Sequence, residues 1–203
     1  MTRIQITAII SLAVSIWGGW LYFAGYDIGI QYLQPFTFTV TATLGIVTIF
    51  NLYLWHLPII RMIFGGKPNL NGYWQIEIKS NFVDEKSGTP KIINACYRIH
   101  QTYLNLSIRL HTNETTSKSI STQLKKNEDG EWMLIGNYLD TPSASNRNKS
   151  QIHYGSFKLI IPNNSKMNFF GQYWTDRKSS GDIKSIKKLT AVEGEGFINA
   201  LLH

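Results

Sequence analysis

The chain is poor in the residues that disulfide, metal and redox chemistry need. Its 203 residues hold one cysteine, Cys96, which excludes an intrachain disulfide and any multi-thiolate metal site. His100, His111, His153 and His203 show no metal-ligand spacing. A phosphate-cradling glycine loop is missing as well, because the GEG run at Gly194–Gly196 is not followed by Lys-Ser/Thr. Asp176 and Asp182 fall in turn-like segments, where Asx-type hydrogen bonding accounts for them. With no constellation for acid–base or nucleophilic work, the sequence reads as a binding protein and not an enzyme, with no cofactor.

Charge is also scarce, but only in one region. From Ile4 to Ile60 the single charged side chain is Asp27, and every Lys and Arg except Arg3 lies at or after Arg61. The net charge of +7 therefore belongs to the C-terminal part. Two apolar runs fill the neutral region, about Ile4 to Tyr26 and Pro35 to Leu57, each as long as the roughly 20 helical residues that cross a bilayer core. YDIGIQYLQP between them supplies a tight connection. Trp17, Trp20, Tyr22, Tyr26, Tyr32, Tyr53 and Trp55 sit mostly toward the segment ends, where amphipathic rings favour an interface.

These features predict an N-terminal two-helix transmembrane hairpin over residues 1–64. The first run is long for a signal-peptide core and lacks a small-x-small cleavage site. Arg3, Arg61 and Lys67 on the flanks predict both termini on the cytoplasmic side of a bacterial inner membrane. The lone cysteine agrees with a reducing compartment. Thr7, Ser11, Ser15 and Gly19 recur every four residues, as do Thr37, Thr41 and Gly45. Such rows of small residues suit close helix packing, within one chain or between copies. Asn51 and His56 are polar groups near the end of the second run.

A short linker, 65–70, leads to a different periodicity. In GYWQIEIKS, Trp74, Ile76 and Ile78 alternate with Gln75, Glu77 and Lys79; YLNLSIRL repeats the pattern with Leu104, Leu106, Ile108 and Leu110. Further strands are predicted at about 91–100, 117–124, 131–139, 151–161, 166–175 and 182–189. Turn signals separate them: DEKSGTP, NEDG, TPSASNRN, IPNNS and KSSGD. No segment here shows a sustained helical period. Eight short strands predict an all-β domain over 71–203, a small antiparallel up-and-down β-barrel able to admit one small ligand.

Within this basic domain, aromatic residues lie among cations. Arg98 follows Tyr97, Tyr154 is mid-strand, and Arg177 and Lys178 follow Tyr173, Trp174 and Thr175. Arginine offers a planar fork to phosphate, and ring faces stack on bases for about 1–3 kcal/mol each. The combination suits a nucleotide. Three plainer readings compete: a solvated face attracted to lipid headgroups, ordinary barrel core, and a strand ending in a hairpin.

The layout resembles the two-transmembrane, β-strand-rich effectors of bacterial cyclic-oligonucleotide-based antiphage signalling (CBASS), which are associated with a cyclic-nucleotide-making nucleotidyltransferase. The resemblance rests on the overall plan, on an L-x-G-x-W-like start at Leu70–Trp74, and on GQYWTDRKSSGDIKSIKKL at Gly171–Leu189. It implies a barrel that binds a cyclic dinucleotide, self-associates into a homo-oligomer, and disrupts the inner membrane through its helices, ending in abortive infection. Its partners would be the cyclic dinucleotide, membrane lipid and further copies of the chain, with no DNA or RNA polymer.

On this basis Arg98, Arg177 and Lys178 are expected at phosphates, Tyr97, Tyr154 and Tyr173 at bases, and Thr175 at a base or ribose. Trp74 is expected at the barrel floor. Alternation prevents Tyr97 and Arg98 from both facing inward unless a bulge intervenes. The alternative is a membrane-tethered adaptor whose basic β domain binds anionic headgroups or a protein partner.

Overall fold

The computed structural model describes residues 3–26, 35–83, 88–144, 147, 151–162 and 168–202, without the side chains of 3–6 and 35–38. The connecting segment at 27–34 with Asp27 and Tyr32, the side chains of Arg3 and Thr37, and most of the turns at 84–87, 145–150 and 163–167 lie outside the described residues. The chain divides into two compact units: Met1–Gly66 with Thr102–Leu104, and Lys67–Gln101 with Asn105–His203.

The first unit is helical. Helix α1 (Arg3–Phe23) ends where Gly25, at φ 73°, donates to the Tyr22 carbonyl and Tyr26 donates to that of Leu21. A left-handed glycine that closes the last turn is a common helix stop. Helix α2 (Pro35–Leu52) opens on a proline, whose missing N–H costs nothing at that position. A 3-10 turn (Leu54–His56) and a short helix α3 (Pro58–Ile63) follow. Asn51 holds Tyr103 and Leu104: its carbonyl accepts from the Tyr103 N–H at 3.1 Å, and its side-chain oxygen from the Leu104 N–H at 2.9 Å. The Tyr103 ring lies 4.9 Å from that of Phe50.

The expected membrane spans, and with them the two-span inner-membrane location, are overturned. Among the described residues no helix is long and apolar enough to cross a membrane. The 18 residues of α2 reach about 27 Å at 1.5 Å per residue, short of the roughly 30 Å hydrocarbon core. Thr39 and Thr43 are buried, and their hydroxyls have no hydrogen-bond partner.

The second unit is a closed eight-stranded antiparallel barrel in sequential order. Its strands are β1 (Gly72–Val83), β2 (Pro90–Gln101), β3 (Leu106–His111), β4 (Thr115–Lys126), β5 (Trp132–Pro142), β6 (His153–Ile161), β7 (Phe170–Thr175) and β8 (Ser180–Leu189). Pairing of β1 with β8, from Tyr73 opposite Leu189 to Ser80 opposite Gly181, closes the wall and removes both sheet edges. Inward positions follow the two-residue period: Trp74, Ile76 and Ile78 on β1, and Ala95, Tyr97 and Ile99 on β2. One end of the barrel is packed solid around Leu70, Trp74, Ile76, Leu134, Leu159 and Phe169.

A helix absent from the sequence expectation, α4 (Ala191–Leu202), covers part of the outer wall. Phe197, Ile198 and Leu201 pack there on the outward residues Tyr73, Cys96 and Leu189. Gly194 permits the approach, since a Cβ at that position would fall 2.2 Å from the Tyr73 ring.

Candidate functional site

The other end of the barrel opens into a cavity of about 830 Å³. Its wall is built from the inward positions of successive strands, so the same alternation that packs the floor points different chemistry into the open half. Three rings form much of that wall: Tyr138 on β5, Phe157 on β6 and Tyr173 on β7. Each lies against a glycine on a neighbouring strand. A Cβ at Gly136 would come 2.6 Å from the Phe157 ring, one at Gly155 2.3 Å from that of Tyr138, and one at Gly181 2.7 Å from that of Tyr173. The rings of Tyr138 and Phe157 stack with centroids 6.3 Å apart.

The phenols of Tyr97 and Tyr138 stay neutral. Burial pushes both well above the usual tyrosine range, and mutual proximity of the tyrosines adds to the effect. The Tyr173 hydroxyl donates to Ser80 Oγ at 3.1 Å.

A second wall is polar. Asp140, buried at 4% exposure, accepts from the Thr115 hydroxyl at 2.8 Å on both carboxylate oxygens and from the Ser117 hydroxyl on Oδ1. His153 Nδ1 donates to the Gln151 carbonyl at 3.0 Å and stands 3.7 Å from Asp140 Oδ2. The register of β4 on β5 creates this cluster by setting Ser117 opposite Asp140.

Cations stand among the lining residues with Glu114. Lys91 Nζ pairs with Glu114 Oε1 at 2.6 Å, and Arg177 joins the lining from the β7–β8 turn. That turn is held by the Thr175 N–H donating to the Ser179 carbonyl at 2.9 Å and by a 2.7 Å contact between the two hydroxyls. Asp176 fixes its flank by accepting from the Tyr154 N–H at 3.1 Å.

Of the residues singled out from the sequence, Tyr97, Tyr173, Thr175 and Arg177 line the cavity. Trp74 lies in the packed end and donates from Nε1 to the Leu70 carbonyl at 2.7 Å. Arg98 faces outward, its Cζ 5.5 Å from the Tyr73 ring. Tyr154 is 60% exposed on the outer face of β6. Lys178 occupies a left-handed turn position, φ 62°, outside the cavity lining.

Tyr138, Phe157, Asp140, Thr115, Ser117 and His153 also line the cavity, and none of them is among the ligand residues expected from the sequence. A signal was present: Gly136, Tyr138 and Asp140 alternate on one face of β5, and His153, Gly155 and Phe157 on one face of β6. Among the described residues no group of three or more His, Cys, Asp or Glu side chains could hold a metal ion.

Comparison with known proteins agrees with this geometry. Residues 66–187 match the family described as "Cap15, cyclic dinucleotide receptor domain". The chain is 28% identical over 160 residues to a CD-NTase-associated protein 15 of Staphylococcus schleiferi, covering 79% of this chain and 82% of the relative. It is 27% identical over 181 residues to a protein of the same description from Escherichia albertii, covering 85% and 84%.

Proposed function

We propose, from the premise that this chain belongs to the family of Cap15 cyclic dinucleotide receptor domains, that its barrel binds one cyclic dinucleotide in the open cavity as an effector of antiphage defence. The observation that carries this reading is the cavity's combination of size and lining. Its 830 Å³ falls within the roughly 300–1,000 Å³ usual for small-ligand sites. Tyr138, Phe157 and Tyr173 offer ring faces for bases, while Arg177 and Lys91 offer cationic donors for phosphates. Glu114 is a weak competitor for Lys91, because a partly exposed ion pair contributes at most about 1 kcal/mol.

Self-association would be the response to binding. The helical unit leaves Ile10, Val14, Leu44 and Ile49 exposed, apolar surface that further copies could cover. A ligand drives assembly only as far as it prefers the assembled state, and a tenfold preference is about 1.4 kcal/mol. Disruption of a membrane, which the resemblance implies, would then follow from assembly through this apolar surface.

The test is calorimetric titration of the full chain with a panel of cyclic dinucleotides, beside Arg177→Ala. Micromolar or tighter binding, weakened at least tenfold in the variant, supports the receptor reading. No heat from any of them, with folded protein, removes it.

A further inference from the structure

The polar wall of the cavity has a directional property. Each hydroxyl has a single proton, and Asp140 takes both the Thr115 and the Ser117 protons. What Thr115 Oγ1, Ser117 Oγ and the remaining lone pairs of Asp140 can offer a ligand is therefore acceptance alone. A carboxylate has about four acceptor sites, and two hydroxyl protons leave some of them open. His153 does not close them, since its Nδ1 proton goes to Gln151 at 3.0 Å and not to Oδ2 at 3.7 Å. Asp140 is 4% exposed, so bulk water is largely kept from these sites. A buried carboxylate with open sites gains from any group that brings N–H donors in pairs.

We propose that Thr115, Ser117 and Asp140 form a base-specificity subsite that selects guanine, so that the cyclic dinucleotide bound here carries at least one guanine. This deepens the receptor reading and rests on it. A phosphate is excluded from the subsite, because it too is an acceptor and is repelled by the carboxylate. Among the common bases, guanine alone sets two donors side by side on its Watson–Crick edge, N1–H and the 2-amino group. Adenine and cytosine place a ring-nitrogen acceptor beside their single amino group, and uracil flanks one N–H with two carbonyls. Each of these would leave an acceptor facing Asp140. The phosphates are then left to Arg177 and Lys91, which also line the cavity.

A site built to hydrogen-bond a particular N–H discriminates because the wrong ligand leaves buried groups unpaired. The experiment is calorimetric titration of the full chain with cyclic di-GMP, cyclic GMP–AMP, cyclic di-AMP and cyclic di-IMP. The inosine compound keeps N1–H and lacks only the 2-amino group. Asp140→Asn is titrated in parallel, with its folding checked by thermal unfolding.

At least one guanine-containing ligand should bind tenfold or more tightly than cyclic di-AMP. Cyclic di-IMP should fall at least fivefold below cyclic di-GMP, and in Asp140→Asn the ligands should bind within about threefold of one another. The inosine comparison uses unaltered protein, so it decides the matter even if the variant does not fold. Binding of all four ligands with equal affinity, or a guanine preference that persists in Asp140→Asn, overturns the subsite while leaving the receptor reading in place. Absence of binding by every ligand removes both.

Discussion

Gly155 sits opposite Tyr138 across the β5–β6 ladder, and a Cβ on that glycine would fall 2.3 Å from the phenol ring. The ring thus lies flat over the one residue type that leaves space for it. Phe157 over Gly136 and Tyr173 over Gly181 repeat the arrangement. Aromatic side chains laid over strand glycines are a known way for sheets to cover a gap in the wall. Here the arrangement also keeps bulky rings against the wall and out of the centre.

Replacement of Gly155 by alanine should therefore push the Tyr138 ring off the wall and into the space that a ligand would use. The expected loss of stability is about 1–3 kcal/mol, typical of one methyl group too many in a packed site. Cyclic dinucleotide affinity should fall with it. Urea unfolding and calorimetric titration read the two effects; unchanged values in both would show that the ring does not depend on the glycine.

Gln101 joins the entry of the barrel to the end of β2. It is buried, accepts from the Leu70 N–H at 2.7 Å and donates to the Pro68 carbonyl at 3.0 Å. Gln101→Ala leaves a buried donor and a buried acceptor unpaired, each at about 1–3 kcal/mol. A drop in the urea midpoint of corresponding size is expected.

The barrel was largely legible because half-buried strands write their geometry into every second residue. The alternation of Trp74, Ile76 and Ile78 with Gln75, Glu77 and Lys79 is the same alternation that separates inside from outside in the structure. The third strand starts at Leu106, later than the pattern of YLNLSIRL suggests, because Asn51 holds the backbone of Tyr103 and Leu104. The helices misled for a different reason. The second apolar run, Pro35 to Leu57, is not one helix: α2 ends at Leu52 and a 3-10 turn at Leu54–His56 follows.

The cavity was harder to read than the wall. Ser117 and Asp140 are 23 residues apart and meet only through the β4–β5 register, which no local pattern reveals. Tyr97 and Arg98, adjacent in sequence, are divided between the inside and the outside by the pleat. Helix α4 is weakly marked in the sequence because its 12 residues include Gly194 and Gly196. Its start was nevertheless written in Thr-Ala-Val-Glu, the spacing of a capping box.

That capping box makes its own prediction. Thr190 Oγ1 accepts from the Glu193 N–H at 3.3 Å, and Glu193 Oε2 accepts from the Thr190 N–H and hydroxyl, each at 2.9 Å. Thr190→Ala should cost about 1 kcal/mol of stability. The hydrogen bonds to Thr190 hold the Glu193 carboxyl below the usual glutamate value. A carboxyl lowered in the folded state contributes stability above its unfolded value and loses it as the pH falls through the folded one. The part of the Thr190→Ala deficit that comes from the lost hydroxyl–carboxylate bond should therefore be present at pH 7 and fade under acid conditions, while the part from the lost Glu193 N–H cap stays, as unfolding curves at several pH values would show.

Arg177 and Lys178 are neighbours in sequence with different surroundings, and substitution separates them. Lys178 holds a left-handed backbone at φ 62° and does not line the cavity, whereas Arg177 does. For a lysine, that backbone costs about 1–2 kcal/mol, which glycine avoids at the expense of greater freedom in the unfolded chain. Lys178→Gly should thus raise stability modestly, by up to about 1 kcal/mol, and keep cyclic dinucleotide affinity within threefold. Arg177→Ala should instead weaken affinity at least tenfold, as loss of a charge-assisted phosphate contact would. If Lys178→Gly weakens binding as much as Arg177→Ala does, the phosphates reach beyond the cavity rim onto the turn itself.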